Sequence, residues 1–472
     1  MGGVARAART AGMNVASSTP PRRQGSTAGP DRVGIVAALL AVAIAGGAAA
    51  ATRLYARRLA NRHLELVSAR DVPFKYQTLT FQRAALASGH VLPIYGSSEL
   101  FCCGSPYRPT ELFASQPTGF AAFAVGRAGT GDLFFMQTLA ALGREVTGKK
   151  LVISDSPPWF YDRRGVSGIE YAGNFLPETA YAFVFDAPIS RHLREAGARR
   201  MLAYPQTLRD DPLLRAAVED LAHPTRWHAA EYVALAPLGR LASWVLRARD
   251  AMRTVAFVWR ERRLHSGPTP RPRELDWVTL AARGTSLGER RDTTNPFGFP
   301  DATYDQMQRR ERFRKALALY QSGQTNRDGQ LFPQPTRWEA AVARSPEWTD
   351  LRLALRTLHE LGARPLVWTL PMPGLYDDYT PRSAVARHHY YERYRLVVQQ
   401  RKVPWLDFRA HDEDPYFLTD IGSHLSARGW VFADRALDMF WHECSIDDIR
   451  EALATLARQV PPPAPADAVA RR

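Results

Sequence analysis

Ser98 follows an apolar stretch, in Gly96-Ser97-Ser98-Glu99-Leu100, and a serine so placed is a candidate nucleophile. A hydroxyl that attacks an ester or thioester needs a base to take its proton and preorganised N–H donors to hold the oxyanion. The glycine two residues before Ser98 lets the backbone turn sharply and expose the hydroxyl. Gly-Ser-Ser is also common in ordinary turns, so the motif alone is weak, and the Gly-x-Ser-x-Gly pattern of a nucleophile elbow is not met. The candidate base is His424, in Asp420-Ile421-Gly422-Ser423-His424-Leu425. An aspartate on the same loop can orient the imidazole and stabilise its charged form. A lone histidine here would more often be a surface residue, but Tyr416-Phe417 before it and Gly429-Trp430 after it bound the loop with aromatic side chains. The third piece is Gly126-Arg127-Ala128-Gly129-Thr130-Gly131, whose glycines let a backbone N–H point into a cavity. It has neither the dinucleotide spacing nor the Lys-Ser/Thr of a phosphate loop. Glu99 has two readings. It orients the nucleophile turn or binds a cationic amine, or it is a first-turn acid worth a few tenths of a kcal/mol against the helix dipole.

These pieces need a scaffold. Residues 89–98 read as a short buried strand ending in a glycine turn, 132–143 as a helix stopped by glycine, and 150–154 as a second strand. Residues 350–362 form another amphipathic helix ending in glycine, with a strand at 365–370 directly after it. Helix, glycine and strand in repetition predict an α/β fold with a parallel sheet and crossover helices. Sites in such sheets form at the carboxyl ends of the strands, where Ser98, Ser154-Asp155-Ser156 and Pro371-Met372-Pro373 all fall. Residues 225–335 are read as an insertion on this core, a helix pair packed on it, with Trp244, Val245, Val255 and Trp259 as an alternative face for lipid or a partner.

Residues 33–52 pass without a charge, a length that matches the hydrocarbon core of a bilayer at 1.5 Å per residue. A cleaved signal peptide is the alternative. The long apolar run, the 32-residue leader before it and the arginines that resume at Arg53 favour an uncleaved anchor. The expected organisation is a disordered leader at 1–32, a transmembrane anchor at 33–52, a catalytic domain at 53–460 and a disordered tail at 461–472. Arginines flank both ends of the span, so charge does not settle the orientation. The reading taken places the N-terminus inside and the body on the extracytoplasmic side of a cytoplasmic (inner) membrane, as a single-pass protein.

The formal charge of +15 is carried almost wholly by arginine and suits an anionic surface, phospholipid or polymer. No aromatic-interleaved RNA motif or zinc-finger spacing accompanies it, so nucleic acid is not expected as a partner. Three cysteines, Cys102, Cys103 and Cys444, lack metal-ligand spacing. All three are expected to be unpaired, and no metal or cofactor is expected.

In their order along the chain, these motifs resemble the DltD family, whose members handle D-alanyl ester transfer to cell-envelope polymers. Gly96-Ser97-Ser98-Glu99 resembles the family's nucleophile motif, Gly126 to Thr130 its glycine-rich block, and Ser156-Pro157-Pro158-Trp159-Phe160 its S-P-x-W-F motif. Glu178-Thr179-Ala180-Tyr181-Ala182-Phe183, Ser345-Pro346-Glu347-Trp348, Tyr376-Asp377-Asp378-Tyr379 and the block from Pro415 to Trp430 follow in order. The resemblance implies an SGNH-like three-layer parallel sheet flanked by helices, carrying a serine acyltransferase or esterase. Aligned on the Gly-Asp-Ser of that wider group, Ser98 is the nucleophile, His424 its base and Asp420 the orienting acid. Gly129, Ser97, Glu99 and Trp159 then lie on the oxyanion and substrate side. The implied partners are membrane lipid, an integral membrane acyltransferase, an acyl carrier protein and an anionic envelope glycan such as teichoic acid or lipopolysaccharide. A membrane adaptor without chemistry, or a carbohydrate O-acyl esterase, are the rival readings. Two departures stand out. Three residues separate Asp420 from His424 where the family has two, so the loop bulges or Asp377, Asp412 or Asp414 replaces Asp420. Pro158 stands where a polar residue is common, which puts more weight on the N–H groups of Gly129 and Ser98.

Overall fold

The computed structural model describes residues 32–70, 77–261, 271–287, 296–299, 301–324, 331–332 and 334–462. The expected leader up to residue 31, the tail beyond residue 462 and the Pro/Arg-rich stretch at 262–270 lie outside them. The chain divides into two compact units between Ala49 and Ala50. In the first, helix α1 (Arg32–Arg62) begins. From Gly34 it is long and apolar enough to cross a membrane, and Val36, Leu39, Leu40, Val42 and Ile44 are exposed along it.

In the second unit, α2 (Leu79–Ser88) leads into β1 (Val91–Gly96), and β2 (Ala121–Gly126) into α3 (Asp132–Leu142) and β3 (Lys150–Asp155). After the long helix α4 (Arg226–Glu261) and the shorter α5 (Trp277–Leu287), α6 (Glu347–Glu360) leads into β4 (Arg364–Thr369). Helix α7 (Ala384–Gln399), β5 (Trp405–Asp407), α8 (Ala427–Trp441) and α9 (Ile446–Gln459) complete the order. Helices stop where glycine takes up a positive φ that other residues avoid: α2 at Gly89 and α3 at Gly143.

The five strands are all parallel, in the order β2-β1-β3-β4-β5. Chain order reverses between β1 and β3, and the crevice at their carboxyl ends is where such sheets bind ligands. Pairing of β1 to β3 starts only at Ile94, after Pro93, which has no N–H to offer. Side chains alternate between two cores. Tyr95, Phe123, Val125 and Ile153 face α2, α3, α6 and α7, whereas Leu92, Ile94, Val152 and Trp368 face α5, α8 and α9. This is the mixed α/β architecture, helices on both faces of a parallel sheet, that the helix-glycine-strand pattern predicts. Two of the strands are not among those the sequence reading expects: β2, an alanine-rich run without alternation, and β5, whose three residues are too few to show any.

Residues 225–335 do not behave as one packed helix pair. Helix α4 packs on the first face through Phe257 and Val258, while α5 packs on the second through Trp277 and Leu280. Phe297, Phe299, Tyr304 and Phe313 then build a third cluster with Tyr376 and Ile421. On α4, Val245 and Trp259 are exposed but Val255 packs against the core, so the four residues read as a lipid-facing alternative are not exposed together.

Candidate active site

β1 and β2 both end in glycine, and Gly96 pairs with Gly126. A Cβ on Gly126 would run into the Gly96 carbonyl, and one on Gly96 into Glu99 and Leu100. That close approach lets the chain leave β1 directly into a 3-10 turn at Ser98–Leu100. Phe101 and Cys102 N–H close the turn on the Ser98 carbonyl at 3.0 and 2.7 Å. Beneath it the Glu99 carboxylate, 1% exposed, accepts the Ser97 N–H at 2.7 Å and the Ser156 hydroxyl at 2.9 Å. Burial pushes its pKa above the ordinary carboxylate range, and those hydrogen bonds and the nearby His424 pull against that. Both carboxylate oxygens of Glu99 are thus hydrogen-bonded inside the fold.

The two serines part company here. Ser97 is buried, donates to the Arg127 carbonyl and accepts the Gly129 N–H, each at 3.2 Å. Ser98 is partly exposed, and its Oγ lies 2.9 Å from His424 Nε2. His424 Nδ1 in turn lies 2.7 Å from Asp420 Oδ2, and Asp420 Oδ1 accepts the Gly422 N–H at 2.8 Å. The extra residue between Asp420 and His424 is absorbed locally. Leu418 and Leu425 form an antiparallel bridge, Thr419 N–H bonds the His424 carbonyl at 2.9 Å, and Ser423 takes φ +63°. The four-residue bulge so closed brings acid and base side chains together. Burial lowers the His424 pKa, but the Asp420 hydrogen bond and charge, with the Glu99 charge, outweigh it, so the net direction is up. Asp420 moves the other way: burial raises it, and its bonds to His424 and Gly422 overcome that.

The three reserve acids are engaged elsewhere. Asp377 pairs with Arg382, Asp412 accepts the Tyr391 hydroxyl and the Met372 N–H, and Asp414 pairs with Arg428 at 2.8 Å. Arg428 is fully buried and also donates to Thr285 of α5 at 3.0 Å. Together with Ile421 in the third aromatic cluster, this ties residues 225–335 to both sides of the His424 loop. Sequence reading treats that region only as an insertion on the core, because nothing in its motifs points to Arg428, 143 residues beyond Thr285.

The glycine-rich block is pinned at several points. Thr130 donates to the Gly96 and Arg127 carbonyls, and Asn174 donates to the Ala128 carbonyl at 3.0 Å. Gly129 has φ +86°, with Glu170 and Asn174 where a Cβ would go. Its N–H is given to Ser97, whereas the Ser98 N–H has no acceptor among the described residues. Trp159 lies on the turn after β3 (Pro157–Tyr161), packed against the core, with its Nε1 buried and unpartnered. Asn174, Thr130 and Ser156 were missed as positioning residues; each is a common polar residue whose role depends on a partner distant in sequence.

The expectation of three unpaired cysteines is overturned for two of them. Cys102 and Cys103 form a disulfide with each other, and Cys103 has φ +64°; Cys444 is free. Side chains of neighbouring residues point apart in most backbone states, and the left-handed conformation of Cys103 is what lets them meet. Both sulfurs lie within 4.8 Å of the Asp420 and His424 ligand atoms, so the disulfide flanks the site. Sulfurs joined in this way have no thiolate to offer a metal.

Beside this geometry stand the sequence comparisons. The family profile described as DltD protein matches residues 70–442. Protein DltD of Bacillus subtilis (strain 168) is 26% identical over 369 residues, covering 78% of this chain and 87% of that protein. Protein DltD of Staphylococcus aureus (strain NCTC 8325 / PS 47) is 23% identical over 350 residues, covering 74% and 81%.

Proposed function

The chain belongs to the DltD family, and from that premise we propose that it is a membrane-anchored serine acyltransferase that carries a D-alanyl or similar acyl group to a hydroxyl of an envelope glycopolymer or lipid-linked glycan. The observation that carries this reading is the run of short contacts from Ser98 Oγ through His424 to Asp420, at 2.9 and 2.7 Å. In the first step His424 Nε2 takes the Ser98 proton as Oγ attacks the acyl carbonyl. The donor oxygen or sulfur leaves with that proton, and an acyl-Ser98 ester is formed. In the second step His424 deprotonates the acceptor hydroxyl, which attacks the ester, and Ser98 recovers its proton. Asp420 holds Nδ1 protonated, so that Nε2 is the lone pair facing Ser98, and stabilises the imidazolium in both steps. The Ser98 N–H is the open oxyanion donor. The Gly129 N–H can join by exchanging its 3.2 Å bond to Ser97.

An integral membrane acyltransferase and an acyl carrier protein are the partners this reading calls for, with the body on the extracytoplasmic side. An adaptor without chemistry would have no use for a hydroxyl held 2.9 Å from a paired histidine. The deciding experiment labels the full chain in detergent with a fluorophosphonate and locates the adduct by peptide mass spectrometry. The expected result is an adduct on Ser98, none in Ser98→Ala, and loss of acyl-ester formation by several orders of magnitude in that variant. Full acyl transfer by Ser98→Ala would leave the adaptor reading standing. Efficient acyl-Ser98 formation that yields only free acid would favour the esterase.

A further inference from the structure

A cavity of about 610 Å³ opens where α1, α2, α4 and the end of α3 meet. Arg53, Arg57, Arg83, Arg144 and Arg247 line it, against three carboxylates, Glu145, Asp186 and Asp250. The carboxylates are already committed. Glu145 pairs with Arg83 at 3.1 Å, Asp186 pairs with Arg247, and the buried Asp250 accepts the N–H and hydroxyl of Thr80 through Oδ2, its Oδ1 alone being left without a hydrogen bond. The side chains of Arg53, Arg57 and Arg144 make no ion pair or hydrogen bond among the described residues. Like charges drawn into one concavity repel one another, and burial together with the Arg247 and Arg53 charges holds the Arg83 pKa below its usual value. A bound anion would relieve that repulsion.

The position says which anion. Arg53 is the first residue after the uncharged run at 33–52, and α1 continues unbroken to Arg62. At 1.5 Å per residue, Arg53 to Arg57 fall within about 8 Å of the end of that run along the helix. The headgroup layer of a bilayer is about 5–8 Å deep on each side of the hydrocarbon. Leu54, 63% exposed, lines the same cavity, and Tyr55 beside it is exposed as well, the pairing of apolar and aromatic side chains found at a membrane surface. The site of acyl chemistry is elsewhere: α3 carries the chain about 16 Å from the glycine-rich block to this cavity.

We propose that this cavity binds the phosphate of an anionic phospholipid headgroup, with Arg53, Arg57 and Arg144 as its free ligands. The assignment rests on residues 33–52 spanning the membrane and is independent of Ser98.

The test titrates the full chain, in a non-ionic detergent, with dihexanoyl phosphatidylglycerol or dihexanoyl phosphatidylcholine and reads binding by native mass spectrometry. Phosphatidylglycerol is expected to bind and phosphatidylcholine to bind far more weakly. At about 1 kcal/mol for each arginine near a lipid surface, each Arg→Gln change should cost about fivefold, and Arg53→Gln/Arg57→Gln/Arg144→Gln on the order of a hundredfold. Because these side chains make no hydrogen bond or ion pair among the described residues, the melting temperature should move little. Equal binding of the two lipids, or triple-variant binding within twofold of wild type, would overturn the assignment. So would full displacement of phosphatidylglycerol by equimolar inorganic phosphate, which would make the cavity a site for a soluble anion. Failure of the wild type to partition into phosphatidylcholine vesicles would remove the anchor itself, and with it the depth argument, while leaving the chemistry at Ser98 untouched.

Discussion

Asp420→Asn probes the proposed catalytic arrangement with the smallest change of shape. The carboxylate lies 2.7 Å from His424 Nδ1 in a partly buried setting. A charge-assisted hydrogen bond of this kind is worth about 1.5–3 kcal/mol, so its loss from the imidazolium formed in the transition state slows the reaction roughly 10- to 150-fold. The amide adds a second fault. Its NH₂ can donate to Nδ1, which moves the ring proton to Nε2 and removes the lone pair that faces Ser98; the total loss then approaches about 10⁴-fold. The pH profile should move as well. As the proposed base, His424 would work only when neutral, so activity should climb as pH rises through its pKa. Asp420 is what raises that pKa against the opposing effect of burial. Asn at 420 should therefore shift the rising limb to lower pH while lowering the plateau. The measurement is the pH dependence of kcat/KM for a p-nitrophenyl ester, alongside the rate of fluorophosphonate labelling of Ser98. A variant within threefold of wild type, with an unmoved midpoint, would refute Asp420 as the orienting acid.

Three further outcomes follow from the supports of the site. Glu99→Ala leaves the buried Ser97 N–H without its acceptor, an effect of about 1–3 kcal/mol. It should slow Ser98 labelling strongly, whereas Glu99→Gln keeps one accepting oxygen and should do so mildly. If Glu99 binds an amine instead, Glu99→Gln would raise KM for an aminoacyl ester but not for an acetyl ester; equal effects on both are expected. Gly129→Ala forces a side chain into φ +86° against Glu170 and Asn174, at about 1–2 kcal/mol for the backbone alone, and should reduce labelling at least about tenfold. Thr285→Val removes an acceptor from the buried Arg428, lowering stability by about 1–3 kcal/mol in urea unfolding and, through the His424 loop, activity with it.

The parallel sheet was legible because its signal is local: apolar strands, amphipathic helices and glycine stops all lie within a few residues of one another. The helix at 132–143 and the strand at 365–370 appear within a residue or two of where periodicity places them. The Ser98 and His424 blocks were legible for a different reason: their residue types suit only a few chemistries, and their order along the chain matched a family.

Everything that depended on which side chain meets which was decided by tertiary packing. Ser98 and His424 are 326 residues apart, and no local rule says which of two adjacent serines faces the base. Alternation about the turn points Ser97 into the glycine-rich block and Ser98 outward. Asp420, one residue too far by the family's spacing, became the partner of His424 because the Leu418–Leu425 bridge closes a loop with room for a bulge. The Cys102–Cys103 disulfide needed a left-handed backbone at Cys103 that composition does not announce. Residues 225–335 look peripheral in one dimension, yet they buttress the His424 loop in three, because burying Arg428 requires a partner, and α5 supplies one in Thr285.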